Sequence, residues 1–497
     1  MMVRIFLPFL VAFALFPLTD TDIWWHLACA RDWVTPWTPV REPVVNIHEY
    51  FQNLVAFVYG LGGAPFLVAF KALLWGAVFA LFLRGSFKNW AGVFLGIVLA
   101  FIFRYQFEIR PVVLSLLFLG IYWNVLPWLV KGGFSWQRKI AVALGLCLVQ
   151  WIWCKCQGLY ILGPLFALVT AAICLEWRGE KKCHIAFVIL FVIVLFAMPF
   201  FHGEGMLLAA YPFELLNRLL GLSPSATVFA KEIAENRSPF TLLMEGENFW
   251  TSLVMVACAL TGFIVSTVRL IRIAKIRVMR RRMAKLQVAA DKSLLLKLLS
   301  LLTTAILALV AERNFVLFLP VFLYFVGLLE IRSLPTYSKY IAIAVVMFIL
   351  GLWGRSMTAY DSSFVSCQRV PVTASQWMKE HPHAGRLFND DRAGGYLAFV
   401  NPGDSIYMDG RFIMKTAEFF RQYLHFADDP ARFIQYSDSA GIDRAIFPLK
   451  YYARWGKVVR VLSQDQTLSQ DQSLSQKAKW RQAYRDEFFV IFDRENP

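Results

Sequence analysis

Thr19-Asp20-Thr21-Asp22-Ile23-Trp24-Trp25-His26 directly follows an apolar run over residues 5–18, which itself begins after Arg4. Two carboxylates and an imidazole therefore stand where a first membrane-spanning helix would meet water. The run is short for a hydrocarbon core of ~30 Å, so either Arg4 snorkels or the helix continues to Asp20. Ala28-Cys29-Ala30, the only Ala-x-Ala-like site, lies too far past the run and follows several charges. The run is thus read as an uncleaved span rather than a signal peptide.

Composition agrees with a membrane reading. The chain has 497 residues, 58% of them hydrophobic and 16% aromatic, against ~45–50% apolar in an ordinary soluble domain. Its net charge of +16 is not read as nucleic-acid affinity, and no nucleic-acid partner is expected. In a polytopic protein basic residues set orientation and meet anionic lipid. Of the eight cysteines, Cys147, Cys174 and Cys258 fall inside apolar runs, which speaks against a disulfide framework. Cys154-Lys155-Cys156 is one close pair without partners, a weak metal signal.

Working outward, apolar runs predict about eleven spans, near 4–19, 64–83, 91–104, 111–130, 138–154, 158–177, 184–200, 249–270, 294–311, 315–330 and 338–354. With the amino terminus cytoplasmic, the inside loops carry Arg84 and Lys88, then Lys131, Arg138 and Lys139, then Arg178, Lys181 and Lys182. The longest holds Arg272, Lys275, Arg277, Arg280, Arg281, Arg282 and Lys285. That is the positive-inside pattern. Outside lie the loops 19–63 and 201–248 and everything after about 355, together with Asp20, Asp22, Glu204, Glu214, Glu232, Glu235 and Glu245. The expected organisation is a transmembrane domain over 1–354 and a small soluble, extracytoplasmic α/β domain over 355–497.

Within that tail, Thr373 is expected to cap a helix through Lys379. Residues 386–388, 405–408 and 488–492 read as strands, and 415–426 and 429–437 as helices. A polar six-residue repeat at 463–468 and 469–474 makes 463–476 a low-complexity insertion with no core to bury.

Chemistry is expected on the outer face. Asp22 and His26 are four apart, so a helix here would place them one turn apart on one face. Trp24, Trp25, Trp33 and Trp37 suit an interfacial helix. Asp20 either caps that helix or joins the site. Arg104 and Arg110 bracket Glu108, Glu312-Arg313-Asn314 interrupts the run 294–330, and Lys155 sits at a span end. Charges between close-spaced spans mark a cavity or an internal ion pair, and arginines offer paired donors to a phosphate. In the tail, Asp409 and Arg411 are further candidates, although Met408-Asp409-Gly410-Arg411 is also a turn sequence.

Asp20-Thr21-Asp22 followed by Trp24-Trp25-His26 just after a first span resembles the first external loop of the GT-C superfamily. That group includes oligosaccharyltransferases, protein O-mannosyltransferases and enzymes adding sugars to lipid A. More closely, the chain resembles uncharacterised bacterial GT-C-like multi-pass membrane proteins. The matching pieces include Arg110-Pro111, residues 153–163, Tyr211-Pro212-Phe213-Glu214-Leu215-Leu216 and Glu235-Asn236-Arg237-Ser238-Pro239. Arg313-Asn314, Gly394-Gly395-Tyr396-Leu397 and Met408-Asp409-Gly410-Arg411 complete the set. Lys155 and Gln157 stand where that set more often has Asn and His. The Trp-Trp-Asp tail motif of oligosaccharyltransferases is absent, against an asparagine-glycosylating enzyme.

The resemblance implies a bacterial inner-membrane glycosyltransferase that takes a sugar from a polyprenyl-phosphate-linked donor to an acceptor hydroxyl. It implies an acidic residue of the first external loop, Asp22 or Asp20 here, as base or as ligand of a divalent cation; His26, Arg104, Arg110, Lys155, Arg313, Asp409 and Arg411, singled out above by residue chemistry, are the candidates for substrate binding. A lipid or polysaccharide transporter, or a non-catalytic GT-C-like protein, is the alternative. A transporter would call for polar groups near mid-membrane, whereas these charges gather at one face.

Overall fold

A computed structural model describes residues 2–33, 38, 44–131, 135–175, 181–246, 248–282, 292–329, 337–358, 360–450, 453–464 and 480–494. Trp37, Arg178, Lys285 and nearly all of the 463–476 insertion lie outside them. The chain forms two compact units.

One unit, comprising Met1–Leu15, Ala69–Leu222 and Phe229–Ala359, is helical. Each of the eleven apolar runs coincides with a helix. Among the described residues, six rather than eleven helices are long and apolar enough to cross a membrane. They are Glu49–Phe82, Pro111–Val130, Lys182–Phe201, Phe249–Lys275, Lys292–Val310 and Tyr337–Thr358. Val3–Phe13, Trp90–Ile102 and Gly158–Cys174 are apolar but shorter. Phe315–Val326 has 12 residues, every one buried. Hydropathy alone does not separate such a core helix from a lipid-facing one. At the other extreme, only 6% of the most apolar window of Tyr337–Thr358 is buried.

Local chemistry sets the helix starts. Asn89 Oδ1 accepts from Gly92 N at 2.9 Å, capping Trp90–Ile102, and Pro111 opens Pro111–Val130, where its missing N–H costs nothing. Tyr122, Leu126, Leu146, Ala167 and Leu195 build a buried cluster between four helices. Its polar atoms are satisfied: Tyr122 Oη lies 3.1 Å from both Leu146 O and Gln150 Oε1.

The second unit joins Phe16–Val68 and Ser223–Val228 to the whole of Tyr360–Pro497. The segment between the first two apolar runs thus shares a compact body with the tail. Four strands, β1 (Arg386–Asn389), β2 (Ile442–Pro448), β3 (Trp480–Arg485) and β4 (Phe489–Arg494), form one sheet in the order β1-β2-β4-β3. β1 and β2 run parallel, and the other two pairs are antiparallel. Phe388 on β1 packs against Phe433, Phe447 and Trp455 at ring separations of 4.9, 5.7 and 5.4 Å.

The helices expected at 415–426 and 429–437 are Ala417–Asp428 and Pro430–Ala440. Two tail expectations fail. Residues 405–408 are a loop, because Tyr407 N donates to the Asn389 side chain at 2.9 Å instead of entering a ladder. Thr373 lies inside Val372–Glu380, its hydroxyl turned to Asp486 at 2.6 Å, so Pro371 holds the cap position.

Candidate active site

The segment carrying Asp20 and Asp22 is pinned just before Asp20. Leu18 bridges Val365, Leu18 N donates to Phe364 O at 2.9 Å, and Arg369 Nε donates to Thr19 O at 3.1 Å. The chain then turns into the helix Asp22–Cys29. Asp20, 3% exposed, accepts from Asp22 N at 3.3 Å, but the cap position itself is held by Thr21, whose side chain makes no cap bond. Asp22 opens the helix, half-buried, where the exposed amides favour a negative charge. Its Oδ1 accepts from Trp25 Nε1 at 3.0 Å. His26 is buried: its ring lies 3.5 Å from that of Trp25, 5.2 Å from His48 and 4.8 Å from Phe51. Sequence spacing suggested Asp22 with His26. The bond described for the Asp22 side chain is to Trp25, three residues on.

The tail supplies the other wall. The helix Asp391–Val400 begins at Asp390, whose Oδ1 accepts from Ala393 N at 3.0 Å. Its glycines allow contact closer than any side chain would. A Cβ on Gly395 would stand 2.9 Å from Trp25 N, and one on Gly394 1.8 Å from Met408 O. A Cβ on Gly410 would stand 2.2 Å from Asp22 Oδ1 and 3.1 Å from Trp25 Nε1.

On either side of Gly410, Asp409 and Arg411 form a buried pair, with Nη2–Oδ2 at 2.5 Å and Nε 3.1 and 3.0 Å from the two carboxylate oxygens. Arg411 Nη1 also reaches Cys29 Sγ at 3.2 Å and the Trp33 carbonyl. Asp409 and Arg411 thus hold the wall of the site rather than projecting into solvent.

Burial sets the electrostatics here. It would raise Asp409, but the Arg411 charge prevails and holds the carboxyl below its usual range. Burial pushes the Cys29 thiol up to about 12, and lowers Lys415, bonded to Thr38 Oγ1, to about 8. Asp390, fully buried and beside the Asp391 charge, is pushed up to about 7.

The remaining candidates belong to the helical unit. Arg110 pairs with Glu235 at 2.9 Å, and Arg313 Nη1 donates to Asn236 Oδ1 at 2.9 Å, so consecutive residues of the 201–248 loop gather two arginines from different helix ends. Glu312 N donates to Arg237 O at 2.9 Å and Ser238 Oγ to Leu309 O at 2.7 Å, fixing that loop. Arg104 lies over Phe101 and Tyr105, each at 4.2 Å, and its neighbour Phe103 stacks near Phe315 at 4.5 Å. Lys155 pairs with Glu204, Nζ to Oε1 at 2.7 Å. Burial alone would raise Glu204, but the Lys155 bond lowers it.

Sequence pattern gives no sign of the Trp25 bond to Asp22, while Gly410 and Glu235 lie within Met408-Asp409-Gly410-Arg411 and Glu235-Asn236-Arg237-Ser238-Pro239. Among the described residues no group of three His, Cys, Asp or Glu is assembled to hold a metal. Asp20 and Asp22, each accepting one hydrogen bond here, are two carboxylates, the number with which Mg²⁺ is commonly held beside substrate phosphates and water.

No family model matches the chain, and no curated protein does. Solved structures do share its fold. Archaeal oligosaccharyltransferase AglB from Archaeoglobus fulgidus, in complex with an inhibitory peptide and a dolichol-phosphate, is similar with a TM-score of 0.51 at 12% identity, over 91% of this chain and 71% of that one. The Archaeoglobus fulgidus oligosaccharyltransferase in its apo form gives 0.50 at 12%, over 88% and 68%. Its complex with Zn and sulfate gives 0.50 at 11%, over 88% and 67%. The chain shares the overall fold of these oligosaccharyltransferase structures.

Proposed function

We propose that this protein is a glycosyltransferase of the bacterial inner membrane, with the amino terminus cytoplasmic and the tail extracytoplasmic. It moves a sugar from a polyprenyl-phosphate-linked donor to an acceptor hydroxyl on a glycan, lipid or protein. One observation carries the reading. A half-buried carboxylate, Asp22, is held by Trp25 Nε1 at the amino end of a helix just after the first apolar segment, in a chain sharing its fold with oligosaccharyltransferases over 91% of its length. The basic loops between spans support the orientation.

In this reading Asp22 takes the proton from the acceptor hydroxyl as its oxygen attacks the anomeric carbon. The bond from that carbon to the phosphate oxygen breaks, and polyprenyl phosphate leaves with the electron pair. Arg104, Arg110 and Arg313 are assigned to the phosphate, stabilising charge as it develops. Asp20 is assigned to the helix start.

The test is purified protein in lipid nanodiscs with radiolabelled polyprenyl-phosphate sugars and acceptor mixtures. Label should move to an acceptor, and Asp22→Asn should lower the rate by about 10²–10⁴-fold with expression and thermal stability retained. Undiminished transfer by Asp22→Asn sinks the assignment of the base. Binding or movement of the donor without turnover by the wild type points to the transporter or non-catalytic alternative.

A further inference from the structure

We propose that Asp409-Gly410-Arg411 is a latch: the tail docks onto the helix Asp22–Cys29 through it, and Gly410 is a positioning residue for the Asp22 carboxylate. The positioning half rests on Asp22 acting as proposed above, whereas the docking half stands alone. Three observations converge. The Gly410 backbone comes so close that a methyl group there would stand 2.2 Å from Asp22 Oδ1. That atom is the same oxygen that Trp25 Nε1 holds at 3.0 Å, so backbone and indole define one carboxylate orientation. Arg411, kept rigid by its buried bond to Asp409, reaches the far end of the same helix through Cys29 Sγ and the carbonyl of Trp33.

One tripeptide therefore touches both ends of the short helix. Buried ion pairs are a poor source of net stability but a good source of a single geometry, which is what a general base requires.

Cys29 is a native reporter. It is buried under Arg411, while the accessible thiols are Cys183, which is exposed, and Cys147 and Cys367, which are partly so. With Cys147→Ser, Cys183→Ser and Cys367→Ser as background, full-length protein in nanodiscs is treated with a maleimide under native conditions and Cys29 modification is followed by mass spectrometry. Gly410→Ala should speed Cys29 labelling at least tenfold and lower kcat for sugar transfer while KM for the donor holds. Gly403→Ala, at a tail glycine with open space around it, should change neither.

The double variant Gly410→Ala/Asp22→Ala removes the atom at 2.2 Å that the methyl would strike, leaving only the looser 3.1 Å approach to Trp25 Nε1. It should restore Cys29 protection, which general misfolding would not allow. Wild-type protection in Gly410→Ala overturns the latch. Rapid labelling that Asp22→Ala does not reverse also overturns it. Rapid labelling with unchanged kcat overturns the positioning role alone. A wild type that transfers no sugar defeats the proposed function, and the labelling still decides the docking.

Discussion

Trp25 donates its indole N–H to Asp22 Oδ1 at 3.0 Å, one helical turn away within the same eight-residue helix. The bond makes Trp25 more than an interfacial anchor, because it leaves the carboxylate with a defined direction. Trp25→Phe keeps the ring and removes the donor. A hydrogen bond to a charged group contributes about 1.5 kcal/mol, so kcat for sugar transfer should fall about tenfold with little change in KM. Steady-state kinetics with a labelled polyprenyl-phosphate donor check this, and an unchanged kcat would detach Trp25 from the base.

Asp390 makes stability depend on pH. Burial first, then the Asp391 charge, raises it from 3.8 to about 7, so between those values the folded chain holds a proton that the unfolded chain releases. Stability from this group is fully present below about pH 4 and is lost as pH rises toward and through 7. Asp390→Asn keeps an oxygen for Ala393 N and removes the titration. Its melting temperature, followed by intrinsic fluorescence from pH 5 to 8, should decline less steeply than that of the wild type.

Arg110 and Glu235 are 30% and 42% exposed as side chains. An ion pair that open contributes about 0–1 kcal/mol, so Glu235→Gln should leave the melting temperature nearly unchanged. Freed of its carboxylate, Arg110 should bind the donor phosphate more tightly, and Arg110→Gln should weaken it. Displacement of labelled polyprenyl phosphate measures both, and equal affinities in the two variants would remove Arg110 from the donor site.

Arg444 differs because its side chain is 3% exposed and holds Asp493 through two bonds of 2.6 and 2.8 Å between β2 and β4. Removing one partner of a buried pair costs about 3–5 kcal/mol. With Asp493 still 27% exposed, Arg444→Ala should fall near 3 kcal/mol, read as earlier protease cleavage of the tail in a urea series.

Much of this was legible in residue pattern. Continuous apolarity located eleven helices, though not Gly205–Leu220 or Pro239–Glu245 within the stretch 201–248 that reads as a loop, and turn residues placed Asp409 and Arg411 beside a tight bend. What escaped depends on partners far along the chain. Residues 405–408 are mostly apolar and β-prone like a strand, yet the Asn389 side chain takes the Tyr407 amide, a competitor no local window contains. The 442–448 strand follows a helix ending at Gly441 in the left-handed region (φ 67°). Its mixed composition, with Asp443 and Arg444 amid apolar residues, hid it until the Asp493 partner was in view. Phe315–Val326 read as a span because burial in protein and burial in lipid select the same side chains.

The pinning of Thr19 by Arg369 closes a loop of 350 positions. During synthesis the helix bearing Asp22 is therefore made long before the residues that complete its surroundings. Contacts so distant form late and slowly. A newly inserted chain therefore carries Asp22 without the Gly410 wall until the tail has been made and folded, so the surroundings of that carboxylate mature well after the helix that bears it.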